Sequence, residues 1–120
     1  MIKIDAVVRE NVLEELTEAL REIEVYGMTI TQVMGCGTQL GYKEKVRGSQ
    51  VDVNLLPKIK FEIVVSSQSW ADKVVEVICR VAYTGEPGDG KIFLYDLKDC
   101  VRIRTGTHGP QAVWAEGQTE

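Results

Sequence analysis

The sequence predicts an α+β domain: one four-stranded antiparallel sheet with two helices on one of its faces, in the order β-α-β-β-α-β. Three observations predict it. Ile2–Val8 and Lys58–Val65 alternate apolar and polar residues, the period of a strand with one buried face. Two other stretches, after Asn11 and after Ser69, carry their apolar residues at helical spacing. The breakers between them are rich in Gly and Pro. A chain of 120 residues is one domain, long enough for one hydrophobic core.

In Ile2–Val8, Ile2, Ile4, Ala6 and Val8 face one way, and Lys3, Asp5, Val7 and Arg9 the other. Asn11 followed by Glu14 resembles a capping box. Val12, Leu13, Leu16, Ala19, Leu20 and Ile23 then form the stripe of the first helix. Gly27 is expected to let the chain turn out of it. Met28–Gly35, rich in Thr, Ile and Val, is the second strand. Lys58–Val65 is the third, with Ile59, Phe61, Ile63 and Val65 inward and Lys58, Lys60 and Glu62 outward. Ser69, with Asp72 at the third helical position, is the expected N-cap of the second helix. Trp70, Ala71, Val74, Val77, Ile78, Val81 and Ala82 mark its apolar side, and Cys79 is assigned to that side as a small core residue. The turn Glu86–Gly90 ends it, and Lys91–Leu97 is the fourth strand. Val101–Thr105 reads as a short strand or turn. The tail after Gly106 is polar and aperiodic, so loose order is expected there.

Between strands two and three lies Gly35–Pro57, about twenty residues without a strand or helix period. A loop of that length inside a small domain is usually functional or disordered. It carries four glycines (Gly35, Gly37, Gly41 and Gly48) and a polar tip from Tyr42 to Gln50.

Composition excludes several classes. A net charge of −4 argues against a general nucleic-acid or anionic-membrane binder. No segment has the length and apolarity of a signal peptide or membrane span, so a cytoplasmic protein is expected. The three cysteines (Cys36, Cys79 and Cys100) form no C-x-x-C pair and no zinc spacing with the single histidine. His108 has no partner in the sequence and is expected to be exposed, so no nucleophile–base pair can be drawn. The chain reads as a binding or regulatory domain, not an enzyme.

Three features can hold an anion. Thr84–Lys91 carries glycines that let backbone N–H groups converge, and a lysine for charge; the competing reading, a tight helix-to-strand turn with Asp89 making an Asx-type bond, is preferred on residues alone. Arg102 and Arg104, two apart in an extended segment, would share one face; surface arginines with carboxylate partners are the alternative. Lys58 and Gln39 stand at the two ends of the long loop's base, where a lysine can pair with a carboxylate and an amide carbonyl can meet a metal; a solvated lysine at a strand start is the alternative. Trp70 is expected in the core and Trp114 on the surface.

The strand and helix order is the ferredoxin-like arrangement. Gly27-Met28-Thr29, Gly35-Cys36-Gly37-Thr38-Gln39-Leu40-Gly41, Arg47-Gly48, Leu56-Pro57-Lys58-Ile59-Lys60-Phe61-Glu62-Ile63-Val64, Thr84-Gly85 with Gly88-Asp89-Gly90-Lys91-Ile92-Phe93, and Arg102-Ile103-Arg104-Thr105-Gly106 together resemble the PII nitrogen-regulatory signal-transduction proteins. The resemblance covers about residues 1–108. It implies a single PII-like domain over 1–120, an effector loop at about 37–57 and a polar tail at about 106–120. It also implies a homotrimer that binds ATP or ADP in the clefts between subunits and takes 2-oxoglutarate with Mg2+ and ATP. Its loop would engage targets such as an ammonium channel, glutamine synthetase, a nitrogen transcription factor or another metabolic enzyme. No direct contact with nucleic acid is expected, and a membrane only through a channel partner.

By position, the resemblance places Thr29, Gly35, Gly37, Glu62 and Val64 at the nucleotide's base side, Thr38 near its phosphates, and Gly88, Asp89, Gly90 and Lys91 in the phosphate loop. Arg102 and Arg104 would reach the phosphates of a neighbouring subunit. Gln39 would hold Mg2+ with 2-oxoglutarate, beside Gly41, and Lys58 would pair with that ligand's carboxylate. Three residues depart from the family pattern. Thr38 replaces a usual arginine and Glu86 a common lysine. Val51 replaces the tyrosine that many bacterial members uridylylate, so that modification has no hydroxyl to use. Ser49 follows Arg47-Gly48 as a phosphorylated serine does in some members, and an unmodified loop-tip serine is the simpler reading. These departures motivate the second hypothesis, a PII-like scaffold with altered or lost ligand sensing that binds its partner constitutively.

Overall fold

In the computed structural model, residues 1–35 and 55–114 are described. The chain runs β1 (Ile2–Arg9), a 3-10 turn (Glu10–Val12), α1 (Leu13–Glu22), β2 (Thr29–Gly35), β3 (Leu56–Val65), α2 (Gln68–Ala82), β4 (Gly90–Asp96) and α3 (Pro110–Val113). The sheet order is β2-β3-β1-β4, with every neighbouring pair antiparallel. This is the expected ferredoxin-like order. The long-loop residues 36–54, and with them Cys36, Gly37, Thr38, Gln39, Gly41, Ser49 and Val51, lie outside the described residues, as does 115–120.

The period-two pattern of the central strands decides which face is covered. Ile4, Ala6, Val8, Ile59, Phe61 and Ile63 are buried against Leu16, Leu20, Ala71, Val74 and Ile78 of the two helices. Burying one such aliphatic side chain contributes about 1.5–3 kcal/mol, so the two alternating strands and two helical stripes supply most of the drive to fold.

The opposite face is polar and bare. Asp5 lies on it between Lys3 and Glu62 and is only 4% exposed. Lys3 Nζ is 3.5 Å from Asp5 Oδ1 and 3.2 Å from Glu62, and Lys60 Nζ is 3.8 Å from Asp5 Oδ2. The bond to Glu62 is the main reason the Lys3 ammonium is pushed above its ordinary pKa. The Lys3 contact to Asp5 is an ion pair without hydrogen-bond geometry, so Asp5 Oδ1 is buried with no donor. Phe93 and Tyr95, in register with Asp5 and Lys3, are about half exposed beside this network.

Several local expectations are corrected. The Asn11–Glu14 capping box does not form: the 3-10 turn Glu10–Val12 precedes α1, whose N-cap is Val12 without a side-chain cap. The left-handed residue after α1 is Glu24, at φ 66°, whereas Gly27 is not left-handed. Ser67, not Ser69, caps α2, its hydroxyl accepting from the Trp70 N–H. Asp72 instead accepts from the Gln68 side chain one turn before it. Cys79 is exposed, because it falls a step beyond the stripe Ala71–Val74–Ile78. Trp70 packs partly buried against the core, with Lys73 Nζ 4.5 Å from its ring centre.

Candidate functional site

The sheet register sorts the sequence-predicted site residues into two groups. At one end, Arg9 pairs with Lys58 and Val8 with Gly90. At the other, Ile2 pairs with Val65 and Asp96, and the chain leaves the sheet with the Leu97 N–H bonded to the Met1 carbonyl. The two ends are roughly 20 Å apart at about 3.3 Å per residue.

The first group is built around the turn from Thr84 to Gly90. Gly90 admits no side chain: a Cβ there would lie 2.0 Å from the Val7 carbonyl oxygen, and its φ is 114°. Gly88, at φ 101°, lets the Arg9 guanidinium approach to 3.2 Å from where a Cβ would stand. Arg9 Nη2 donates to the Pro87 carbonyl at 2.8 Å and pairs with Asp89 at 3.3 Å. Lys58 Nζ donates to the Gly88 carbonyl at 2.8 Å. Two cations from adjacent strands therefore hold the turn from below, and Lys91, in register with Val7, adds a third positive residue on the same face.

Asp89 closes the turn from within. It accepts from the N–H groups of Thr84 (2.7 Å) and Gly85 (3.0 Å) and from the Thr84 hydroxyl. The Thr84 hydroxyl, then these N–H groups, outweigh desolvation and hold its carboxyl far below the usual carboxylate range. Asp89 does bond the backbone of its own turn, but it reaches back to Thr84 and Gly85 and not forward two residues as an Asx turn would. The same bonds mean that the N–H groups of Thr84 and Gly85 already converge on Asp89, while the Glu86 N–H goes to Thr84 Oγ1. Beside this end, a cleft of about 330 Å³ is lined by Arg9, Glu10, Asn11, Leu56, Pro57 and Lys58. Gly35 lies on Lys58, a Cβ at Gly35 meeting the lysine's Cγ at 3.3 Å. Thr29 and Glu62 are cross-strand partners further along, and Val64 is opposite Lys3.

The second group lies beyond β4. The expectation that Arg102 and Arg104 share the face of an extended segment is not met. Val101 makes a single bridge to His108, and 103–105 is a turn closed by the Gly106 N–H on the Arg102 carbonyl. The alternation Val-Arg-Ile-Arg mimics a strand, but no strand lies beside it and Ile103 is 97% exposed. Arg102 donates through Nη2 to the carbonyls of Gln111 (2.9 Å) and Trp114. No bond joins Arg102 to the Lys58–Gly88–Asp89 group among the described residues.

His108, expected to lack a partner, has one: Nδ1 is 2.8 Å from Asp99 Oδ2. Asp99 Oδ1 also accepts from the N–H groups of Cys100 and Gly109. The His108 bond, then the Cys100 N–H, hold the Asp99 carboxyl below its ordinary pKa. The tail is therefore ordered through Trp114, contrary to the loose order expected after Gly106. Sequence reasoning missed Arg9, Asp99 and the two carbonyls. Arg9 at the end of an alternating strand next to a Gly-rich turn was a usable signal; main-chain carbonyls leave none.

A sequence model of the family described as nitrogen regulatory protein P-II matches residues 1–107. The chain belongs to the P-II nitrogen regulatory protein family. Nitrogen regulatory protein P-II 1 of Methanothermobacter thermautotrophicus is 47% identical over 94% of this chain and 97% of its own length. Nitrogen regulatory protein P-II 1 of Escherichia coli K12 is 45% identical over 94% of this chain and all of its own length (100%). Among solved structures, B. subtilis GlnK superposes with a TM-score of 0.77 at 41% identity, over 92% of this chain and 96% of that one. A B. subtilis GlnK–ATP complex does so with the same TM-score, 0.77, at 39% identity, over 92% and 94%. P-II proteins are named as regulators, which places this chain among signalling proteins and not among enzymes. No helix among the described residues is long and apolar enough to cross a membrane.

Proposed function

We propose that this P-II protein is a cytoplasmic homotrimer that binds ATP or ADP, and 2-oxoglutarate with Mg2+, in clefts between subunits, and controls target proteins through its long loop. The observation that carries the reading is the division of the cationic residues between the two ends of the sheet. Arg9, Lys58 and Lys91 surround the Gly88–Gly90 turn, while Arg102 and Arg104 follow β4 from the opposite end. One subunit does not join Arg102 to that turn, and a neighbour's Arg102 and Arg104 would. The likeness to a GlnK–ATP complex supports nucleotide binding.

Within the site, the Gly88–Lys91 turn and Lys58 hold phosphate and carboxylate oxygens, Thr38 stands near the phosphates, and Thr29, Gly35, Gly37, Glu62 and Val64 line the base side. Gln39 and Gly41 complete the 2-oxoglutarate end, Gln39 touching Mg2+. A triphosphate beside a dicarboxylate is a dense anion, and charge-assisted bonds from ammonium and guanidinium groups are the strong ones available to it. Asp89 occupies the N–H groups of Thr84 and Gly85, so those two amides serve the turn's shape and the cations serve the ligand.

Calorimetry with ATP, ADP, Mg2+ and 2-oxoglutarate, paired with sedimentation of the free protein, tests this. A trimer that binds nucleotide at or below millimolar concentration is expected; no binding of either nucleotide overturns it. Lys58→Met should lose 2-oxoglutarate and largely keep ATP, and unchanged 2-oxoglutarate affinity refutes the role of Lys58. The targets would be an ammonium channel, glutamine synthetase, a nitrogen transcription factor or another metabolic enzyme. Pull-down of such a partner should respond to nucleotide and 2-oxoglutarate; a partner held equally with and without ligand favours the constitutive scaffold.

A further inference from the structure

The short helix α3 ends on an arginine. Two carbonyls of this segment, that of Gln111 within α3 and that of Trp114 just after it, are both taken by Nη2 of Arg102. A guanidinium has five N–H groups, two of them on Nη2. An arginine grips a phosphate in two-pronged fashion either through Nη1 with Nη2 or through Nε with Nη2. Nη2 is common to both prongs. With its two N–H groups on carbonyls, Arg102 keeps only single bonds from Nε or Nη1.

The seat of this segment is imperfect. Among the described residues Trp114 Nε1 is buried without an acceptor, which penalises the docked arrangement. The ties that hold the preceding turn all end at Gly109: His108 on Asp99, and the Gly109 N–H on both the Cys100 carbonyl and Asp99. Gly109 itself has φ 80° with open space where a Cβ would be. The segment after it can leave while the turn carrying Arg102 keeps its shape.

We infer that Pro110–Trp114 is a built-in competitor for Arg102, displaced when a polyphosphate ligand takes the guanidinium. The inference rests on the nucleotide reading above. A phosphate–guanidinium bond is charge-assisted on both sides and a carbonyl–guanidinium bond on one, so the ligand wins at sufficient concentration and its apparent affinity is lowered by the competition. The device sets a threshold for the nucleotide within the chain itself, independent of the long loop.

The test uses the full-length chain and Mg-ATP. Trp114→Ala removes the seat and should tighten ATP binding by on the order of fivefold, a coupling of ordinary size. Pro110→Gly, which loosens the start of α3, should act in the same direction. In an Arg102→Ala background the gain from Trp114→Ala should vanish. The chain has two tryptophans, so Trp70→Phe leaves Trp114 as the sole indole emitter. Its emission should shift to the red over the concentration range in which ATP binds. Unchanged or weaker ATP affinity in Trp114→Ala, an equal gain with Arg102→Ala, or Trp114 emission indifferent to saturating ATP overturns the inference. If no form binds ATP, the nucleotide reading falls and the inference with it. Trp114 emission in Arg102→Ala without nucleotide then separates the two failures, because a red shift there shows the clamp to exist on its own.

Discussion

The turn Thr84–Gly90 and the segment Asp99–Trp114 are both irregular, and both hold residues assigned to the proposed site. Both are fastened by a carboxylate that takes N–H groups and by a cation that takes main-chain carbonyls, and they differ in how closely neighbouring atoms crowd their glycines. In the first, side chains satisfy main-chain groups: Asp89 takes N–H groups, while Arg9 and Lys58 take carbonyls, and glycines let them come close. In the second, main-chain carbonyls occupy a side chain that would otherwise be available, Arg102. In the first region the carbonyl that holds Lys58 belongs to the crowded glycine turn itself, whereas the carbonyls that hold Arg102 follow Gly109, which has open space around it. Rigidity is therefore expected at the first end of the sheet and exchange at the second.

The largest expected effect that sharpens this contrast is Gly90→Ala. Its methyl would have to stand 2.0 Å from the Val7 oxygen. Strain of this kind belongs to the severe class, costing about 3 kcal/mol or more, readable as a lower urea midpoint. Gly106→Ala in the second region, with nothing within 4 Å of the added carbon but a φ of 71°, should cost only about 1 kcal/mol. Equal losses would erase the contrast.

Asp89→Ala should come next. It frees the Thr84 and Gly85 amides, so their hydrogen exchange should accelerate and the melting temperature should fall. Asp99→Asn should instead speed exchange only at Cys100 and Gly109. Acid links the two. The carboxyls of Asp89 and Asp99 have folded pKa values below their unfolded ones. Their stabilisation is thus complete above the ordinary carboxylate value, about 3.9, and is lost as pH falls through the lower folded values. The difference in melting temperature between the native chain and Asp89→Ala should be constant above about pH 5 and shrink below about pH 4. A difference that grows on acidification contradicts the bonding described for Asp89. The smallest effect is that of Cys79→Ser, which should leave the melting temperature unchanged, since the thiol is exposed.

The same contrast explains what the sequence disclosed. Strand and helix order was legible because Ile4, Ala6, Val8, Phe61 and Ile63 alternate and Val74, Val77 and Ile78 follow a helical stripe, and one-sided burial enforces both patterns. Caps were misplaced because serines two apart, Ser67 and Ser69, compete for one role, and the choice depends on where the strand before them ends. The Gly-rich turn was legible since positive φ needs glycine. Arg102 was misread as half of an exposed pair, because its partners are peptide carbonyls, which every residue possesses and no residue type announces.

The buried carboxylate on the bare face of the sheet has a consequence of its own. Asp5 Oδ1 is out of water and one donor short. A surface laid over this face with only greasy side chains would seal that oxygen in without a bond, and adhesion would be poor. A surface bringing an ammonium or hydroxyl to the right place would be welcomed. A companion that offers such a hydrogen would fit this face better than one that offers apolar side chains alone.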